Sequence, residues 1–99
     1  NIPEPEEVEA SDLSEIIGTG YELILEPASR LLYRMQNGSF DFWANGENVC
    51  ISEPFAAQLK RIADGENIVL DESFNDDAVL EDIAMLLNNA VVMLLPPQE

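Results

Sequence analysis

The sequence predicts an α+β domain in which an antiparallel β-meander is followed by helices and a C-terminal strand. Three observations carry this reading. Residues 21–51 alternate with strand period and are punctuated by two Asn-Gly pairs, the pattern turns helical after Ser52, and a closing apolar run stops at Pro96-Pro97. A chain of 99 residues fits one domain with a single core of two packed layers, burying somewhat over ~60% of its extended surface.

The first dozen residues, NIPEPEEVEASD, hold two prolines and five acids. They read as a loose arm or linker over residues 1–12, ahead of a domain spanning residues 13–95 and a tail over 96–99. Ser11 or Asp12 is placed to cap a short helix through Leu13, Ile16 and Ile17, with Gly18 or Gly20 ending it. In YELILE, Tyr21, Leu23 and Leu25 share one face, and in LLYRM, Leu31, Tyr33 and Met35 do the same. With Pro27 and Ser29 turning the chain between them, the two segments are expected to pair. Asn37-Gly38 and Asn45-Gly46 then mark two tight hairpins, because both central residues of a type I′ turn need positive φ. Together these segments make a meander over roughly residues 21–51.

Ser52 as N-cap and Pro54 in the first turn open a helix whose stripe is Phe55, Leu59 and Ile62 and whose end is Gly65. After the short apolar piece from Ile68 to Leu70, a second helix runs from Asp76 or Asp77 to Asn89, with Val79, Leu80, Ile83, Leu86 and Leu87 on a wide buried face. AVVMLL, residues 90–95, has no alternation. It suits a central strand covered on both faces, or one whose second face meets another domain.

Composition excludes whole classes of function. Twenty acids stand against Arg30, Arg34, Lys60 and Arg61, and the net charge is −16. Binding a duplex requires many cations at phosphates, so nucleic acid is excluded as a partner, and anionic membranes by the same reasoning. A basic protein surface is the electrostatically favoured partner. The chain has no His, which removes the usual base for a Ser or Cys nucleophile. Cys50, flanked by Val49 and Ile51, reads as a buried structural thiol in a reducing, cytoplasmic setting. Asp71, Ser73 and Asn75 follow the opening spacing of a calcium loop, but Asp76 stands where that loop needs Gly and Asp82 where it needs a bidentate Glu. The acids Asp71, Glu72, Asp76, Asp77, Glu81 and Asp82 are therefore read as complementing a helix N-terminus. Gly18-Thr19-Gly20 precedes a strand and cradles no phosphate. Catalytic, cofactor-binding and metal residues are all expected to be none. Trp43, Tyr33 and Arg34 are the candidate partner surface, since Trp43 alternates away from Phe42 and exposes an aromatic on the far side of the sheet. Asn1 in place of an initiating Met suggests an excised domain, or one trimmed after a tag.

The segments SRLLYR, GSFDFWANGE and PFAAQLKRIADG, followed by a helix and an apolar strand, carry a resemblance. Over about residues 20–95 the chain resembles the C-terminal winged-helix-like domain of bacterial cupin-fold (JmjC-type) ribosomal oxygenases. The shared features are Ser29-Arg30 leading into a strand, FWANGE from Phe42 to Glu47, and the spacing from there to Ala63-Asp64-Gly65. Asn88-Asn89 departs from the Gly expected before the last strand. The resemblance implies a winged-helix-like fold. It also implies a non-catalytic C-terminal interaction or structural module of an iron(II) and 2-oxoglutarate-dependent protein hydroxylase, whose His-x-Asp and distant His lie in its cupin domain. The implied partners are proteins: the parent catalytic domain, a second subunit or a basic protein. The alternative is a stand-alone acidic module, either a peptide binder similar to PqqD-type domains, which would add a strand to an open sheet edge, or a mimic of nucleic acid.

Overall fold

The structure, a computed structural model, describes residues 7–97. In chain order its elements are α1 (Ala10–Ile16), β1 (Glu22–Leu25), β2 (Leu31–Gln36), β3 (Ser39–Ala44), β4 (Glu47–Val49), α2 (Glu53–Ala63), β5 (Ile68–Val69), a 3₁₀ turn (Glu72–Phe74), α3 (Asp77–Asn88) and β6 (Val92–Leu95). Two antiparallel three-stranded sheets form, ordered β5-β1-β6 and β2-β3-β4.

The first helix begins earlier than its sequence suggested. Glu9 takes the N-cap position, and Asp12 sits at the third helical residue, where its carboxylate accepts the Glu9 N–H at 2.9 Å. Residues 10–12 are thus helical and not part of an arm, while residues 1–6 of that arm lie outside the described residues. Asn88 fixes this start to the far end of α3: its Oδ1 accepts the Val8 N–H at 2.8 Å and its Nδ2 donates to the Val8 carbonyl at 2.9 Å. Leu13 is the buried anchor of α1, which packs on α3.

β1 does not pair with β2, contrary to the expected meander across Pro27 and Ser29. It forms the centre of the other sheet, with Glu22 opposite both Val69 of β5 and Leu95 of β6. Alternation identified a strand without identifying its partner, and the segment between β1 and β2 is held by another contact, Ser29 Oγ donating to the Ala90 carbonyl at 2.5 Å. β6 is correspondingly an edge strand, which corrects the first of the two readings of its unbroken apolar run, that of a central strand; Val92 is buried and Met93, Leu94 and Leu95 are half-buried.

The two tight hairpins form as read from the sequence. Asn37 and Gly38 have φ of 53° and 79°, Asn45 and Gly46 of 52° and 89°, the left-handed pairs that a type I′ turn requires. Ala90 also has positive φ, 58°. It occupies the position after α3 where Gly is usual, while Val91 N–H returns to the Leu86 carbonyl and Ala90 N–H to that of Leu87, closing the helix with a paired C-cap.

α2 is the middle of the molecule. Phe55, Leu59 and Ile62 are fully buried, and the helix touches β1, β2, β5 and α3. Phe55 meets Phe74 edge-on, with ring centroids 6.4 Å apart. Ser52 is the N-cap residue, but its hydroxyl turns away from the helix and donates to Asp82 Oδ2 at 2.6 Å, and its N–H reaches the same oxygen at 2.7 Å. At α3 the capping works in the usual sense: Asp76 Oδ1 accepts from the Ala78 and Val79 N–H groups at 3.0 and 3.2 Å.

No charged or polar residue is buried among those described, so the acids repel one another across the surface. Three surface ion pairs, Arg34–Asp41, Lys60–Asp64 and Arg61–Glu66, offset little of this. Raising salt from low ionic strength to ~0.5 M is therefore expected to raise the melting temperature by a few degrees. An unchanged melting curve would show that the repulsion is already dispersed.

Candidate functional site

The residues singled out from sequence fall on the two faces of the β2-β3-β4 sheet. The register sets Leu32 opposite Trp43, Tyr33 opposite Phe42, Arg34 opposite Asp41 and Met35 opposite Phe40. Opposed residues share a face, so the pairs separate by parity. Trp43 and Arg34 come together on the outer face, the Arg34 guanidinium carbon 5.3 Å from the indole ring centre and its Nη2 3.6 Å from Asp41 Oδ2. Leu32 lies beside them, 55% exposed. Trp43 is half-buried.

Tyr33 is on the opposite face, towards α2. Its ring packs at 5.9 Å from Phe40 and 6.2 Å from Phe42, and its hydroxyl donates to Asp64 Oδ1 at 2.9 Å. Lys60 Nζ donates to Asp64 Oδ2 at 2.8 Å and stands 5.4 Å from the Tyr33 ring centre. The hydrogen bond from Lys60, joined by that from Tyr33, holds the Asp64 carboxyl below the usual aspartate range, and the same bond raises the Lys60 ammonium. This cluster fastens the sheet to the end of α2, so Tyr33 is a strut between elements and Trp43 with Arg34 is the outward surface. Sequence parity alone separates Tyr33 from the other two once Asn37-Gly38 fixes the register.

β2 is an edge strand whose outer side bears no strand among the described residues. A two-residue turn closes on a hydrogen-bonded pair, so Gln36–Ser39, Arg34–Asp41 and Leu32–Trp43 are the pairs exchanging backbone bonds. The Asn45 N–H donating to the Arg30 carbonyl at 2.8 Å continues that phase. Leu31, Tyr33 and Met35 therefore turn their N–H and C=O groups away from β3, and these groups have no hydrogen-bond partner among the described residues. Met35 is 61% exposed. Inside the turn of this hairpin, a groove of about 260 Å³ runs between Ser39, Phe40 and the first turns of α2, lined also by Ile51, Glu53, Ala56 and Ala57.

Cys50 is exposed, which overturns its reading as a buried thiol. It lies in the link between β4 and α2, where strand alternation has ended and apolar neighbours no longer imply burial. The acidic residues before and within α3 are used singly. Asp71 accepts from the Ser73 hydroxyl and N–H, which lower its pKa, Asp76 caps α3, and Asp82 binds Ser52. Among the described residues no three His, Cys, Asp or Glu side chains converge as a metal site. A His-x-Asp and His ligand set does not fit a chain without His. No helix among the described residues is long and apolar enough to cross a membrane.

The family model described as ROXA-like winged helix matches residues 1–93. The chain belongs to that family. The antiparallel sheets, three helices and final strand are consistent with a winged-helix domain, and the resemblance seen in SRLLYR, FWANGE and ADG is to this family's own domain. It is thus a winged-helix module of the kind associated with ROXA oxygenases. No curated protein and no solved structure matches it.

Proposed function

We propose that this winged-helix domain is a non-catalytic interaction module of a cupin-type, iron(II) and 2-oxoglutarate-dependent protein hydroxylase. Iron and 2-oxoglutarate would supply the oxidising chemistry in the parent's cupin domain; this chain, lacking imidazole, supplies a docking surface. The observation that carries the reading is the family match over residues 1–93. It is supported by the outer face of the β2-β3-β4 sheet, where Trp43 and Arg34, two residue types enriched at interface centres, come together beside the exposed Leu32. The partner is protein: the parent catalytic domain, a second subunit or a basic protein surface. The acidic field disfavours nucleic acid and anionic membrane, and a single, unpaired thiol supports a cytoplasmic setting. A stand-alone peptide-binding module is the second reading, favoured by the open edge of β2. Recovering the flanking reading frame decides between them. A frame continuous upstream with a cupin containing His-x-Asp is expected, and an initiating Met immediately before residue 1 would overturn the oxygenase assignment.

A further inference from the structure

The free edge of β2 differs from the other sheet edges in three respects. It is six residues long, against two for β5 and three for β4, and unlike β6 it is not followed by paired prolines. Two of the three large exposed hydrophobics among the described residues, Leu32 and Met35, stand on it, on opposite faces. Finally, no acid lies between Glu26 and Asp41, whereas Arg30 and Arg34 do. Edge strands that must stay unpaired are usually short, bulged, covered or interrupted by proline, and beyond Arg34 β2 has none of these protections.

We propose that the edge of β2 captures an extended segment of a partner protein in which two acidic residues bracket three apolar ones. Backbone bonds to Leu31, Tyr33 and Met35 supply affinity, and alternate side chains supply selectivity. By parity Arg30, Leu32 and Arg34 line the outer face. A strand laid alongside them presents its first, third and fifth residues on that face, so acid, apolar and acid oppose Arg34, Leu32 and Arg30. The second and fourth residues lie opposite Tyr33 and Leu31 on the other face, and the residue before the first acid lies opposite Met35. Arg30 has no ion pair among the described residues, and Arg34 shares an exposed, weak pair with Asp41. The net charge of −16 does not forbid a segment carrying only two acids, because each lies against its own Arg, whereas a polyanion or an anionic surface meets the acidic field over its whole extent. A second copy of the chain fits less well. Antiparallel pairing of β2 with itself across Tyr33 sets Arg34 against the copy's Leu32 and brings the two Arg34 side chains together diagonally.

This inference deepens the reading of the domain as an interaction module and is independent of the oxygenase assignment. The test is titration of the 99-residue chain at physiological ionic strength with a capped peptide, Thr-Glu-Val-Ile-Val-Glu-Thr, and with its lysine-for-glutamate counterpart. The glutamate peptide is expected to bind saturably and slow amide exchange at Leu31, Tyr33 and Met35, with the lysine peptide ~tenfold weaker. Met35→Pro removes one outward N–H while leaving the β2–β3 ladder whole, and should weaken binding by about tenfold. Arg34→Glu, at an exposed position that folding does not need, should shift the preference towards the lysine peptide. Equal affinity for the two peptides, protection of other amides, absence of binding, or dimerisation in sedimentation that Met35→Pro abolishes would each overturn the proposal. Such a failure would leave the reading-frame result untouched, and a frame without a cupin would leave the peptide result untouched.

Discussion

Phe55→Ala is expected to cost ~3–5 kcal/mol of stability, the usual price of emptying an aromatic site in a packed core. The ring is fully buried in the first turns of α2, edge-on to Phe74, and the helix carrying it is the element that touches both sheets. Collapse of the core cannot easily refill the space, because Leu59 and Ile62 on the same helix, Leu70 after β5 and Ile83 on α3 are themselves fully buried. For a domain of this size the melting temperature should fall on the order of 20 °C. Thermal unfolding followed by circular dichroism measures it. A loss below ~1 kcal/mol would mean that α2 is not seated as described.

Asp82→Ala should be the most damaging change at any acid, costing ~2–3 kcal/mol although the residue is only half-buried. Its Oδ2 accepts both the N–H and the hydroxyl of Ser52, tying the middle of α3 to the first residue before α2. Removing the carboxylate leaves two half-buried donors at a helix start without their acceptor. Asp82→Asn keeps one acceptor and should lose less, while Asp77→Ala, exposed in the first turn of α3, should change stability by about 0.5 kcal/mol or less. Denaturant titration of the three variants tests this order. Equal losses at Asp82 and Asp77 would remove the claim that the Ser52 contact joins the two helices.

The sequence disclosed those parts of the fold whose signals are local. Ser52, Pro54 and Gly65 bracket α2, Asp76 starts α3, and the two Asn-Gly pairs set the register of the β2-β3-β4 sheet, because caps and tight turns are decided within a few residues. From that register alone Trp43 and Arg34 follow as neighbours. The partner of β1 was not legible, since Leu23 is buried and alternating whichever strand lies beside it, and the choice rests with Ile68 and Leu94 far along the chain. Nor could VVML reveal that it forms an edge: the same run serves a central strand. The link of Asp82 to Ser52 was hidden because a carboxylate in a helix near other acids carries no mark distinguishing a tether from a solvated charge. The open edge of β2 likewise needs the knowledge that β1 went elsewhere.

That β1 lies between β5 and β6 has a consequence for how the domain comes into being. Leu23 and Ile24 are made well before residues 92–95, which complete their longer ladder. The β2-β3-β4 sheet, by contrast, is built from consecutive hairpins and can assemble as soon as it emerges. A growing polypeptide therefore carries an apolar strand awaiting its neighbour until residues 92–95 follow, and the acidic residues scattered around that strand help keep the waiting chain dissolved.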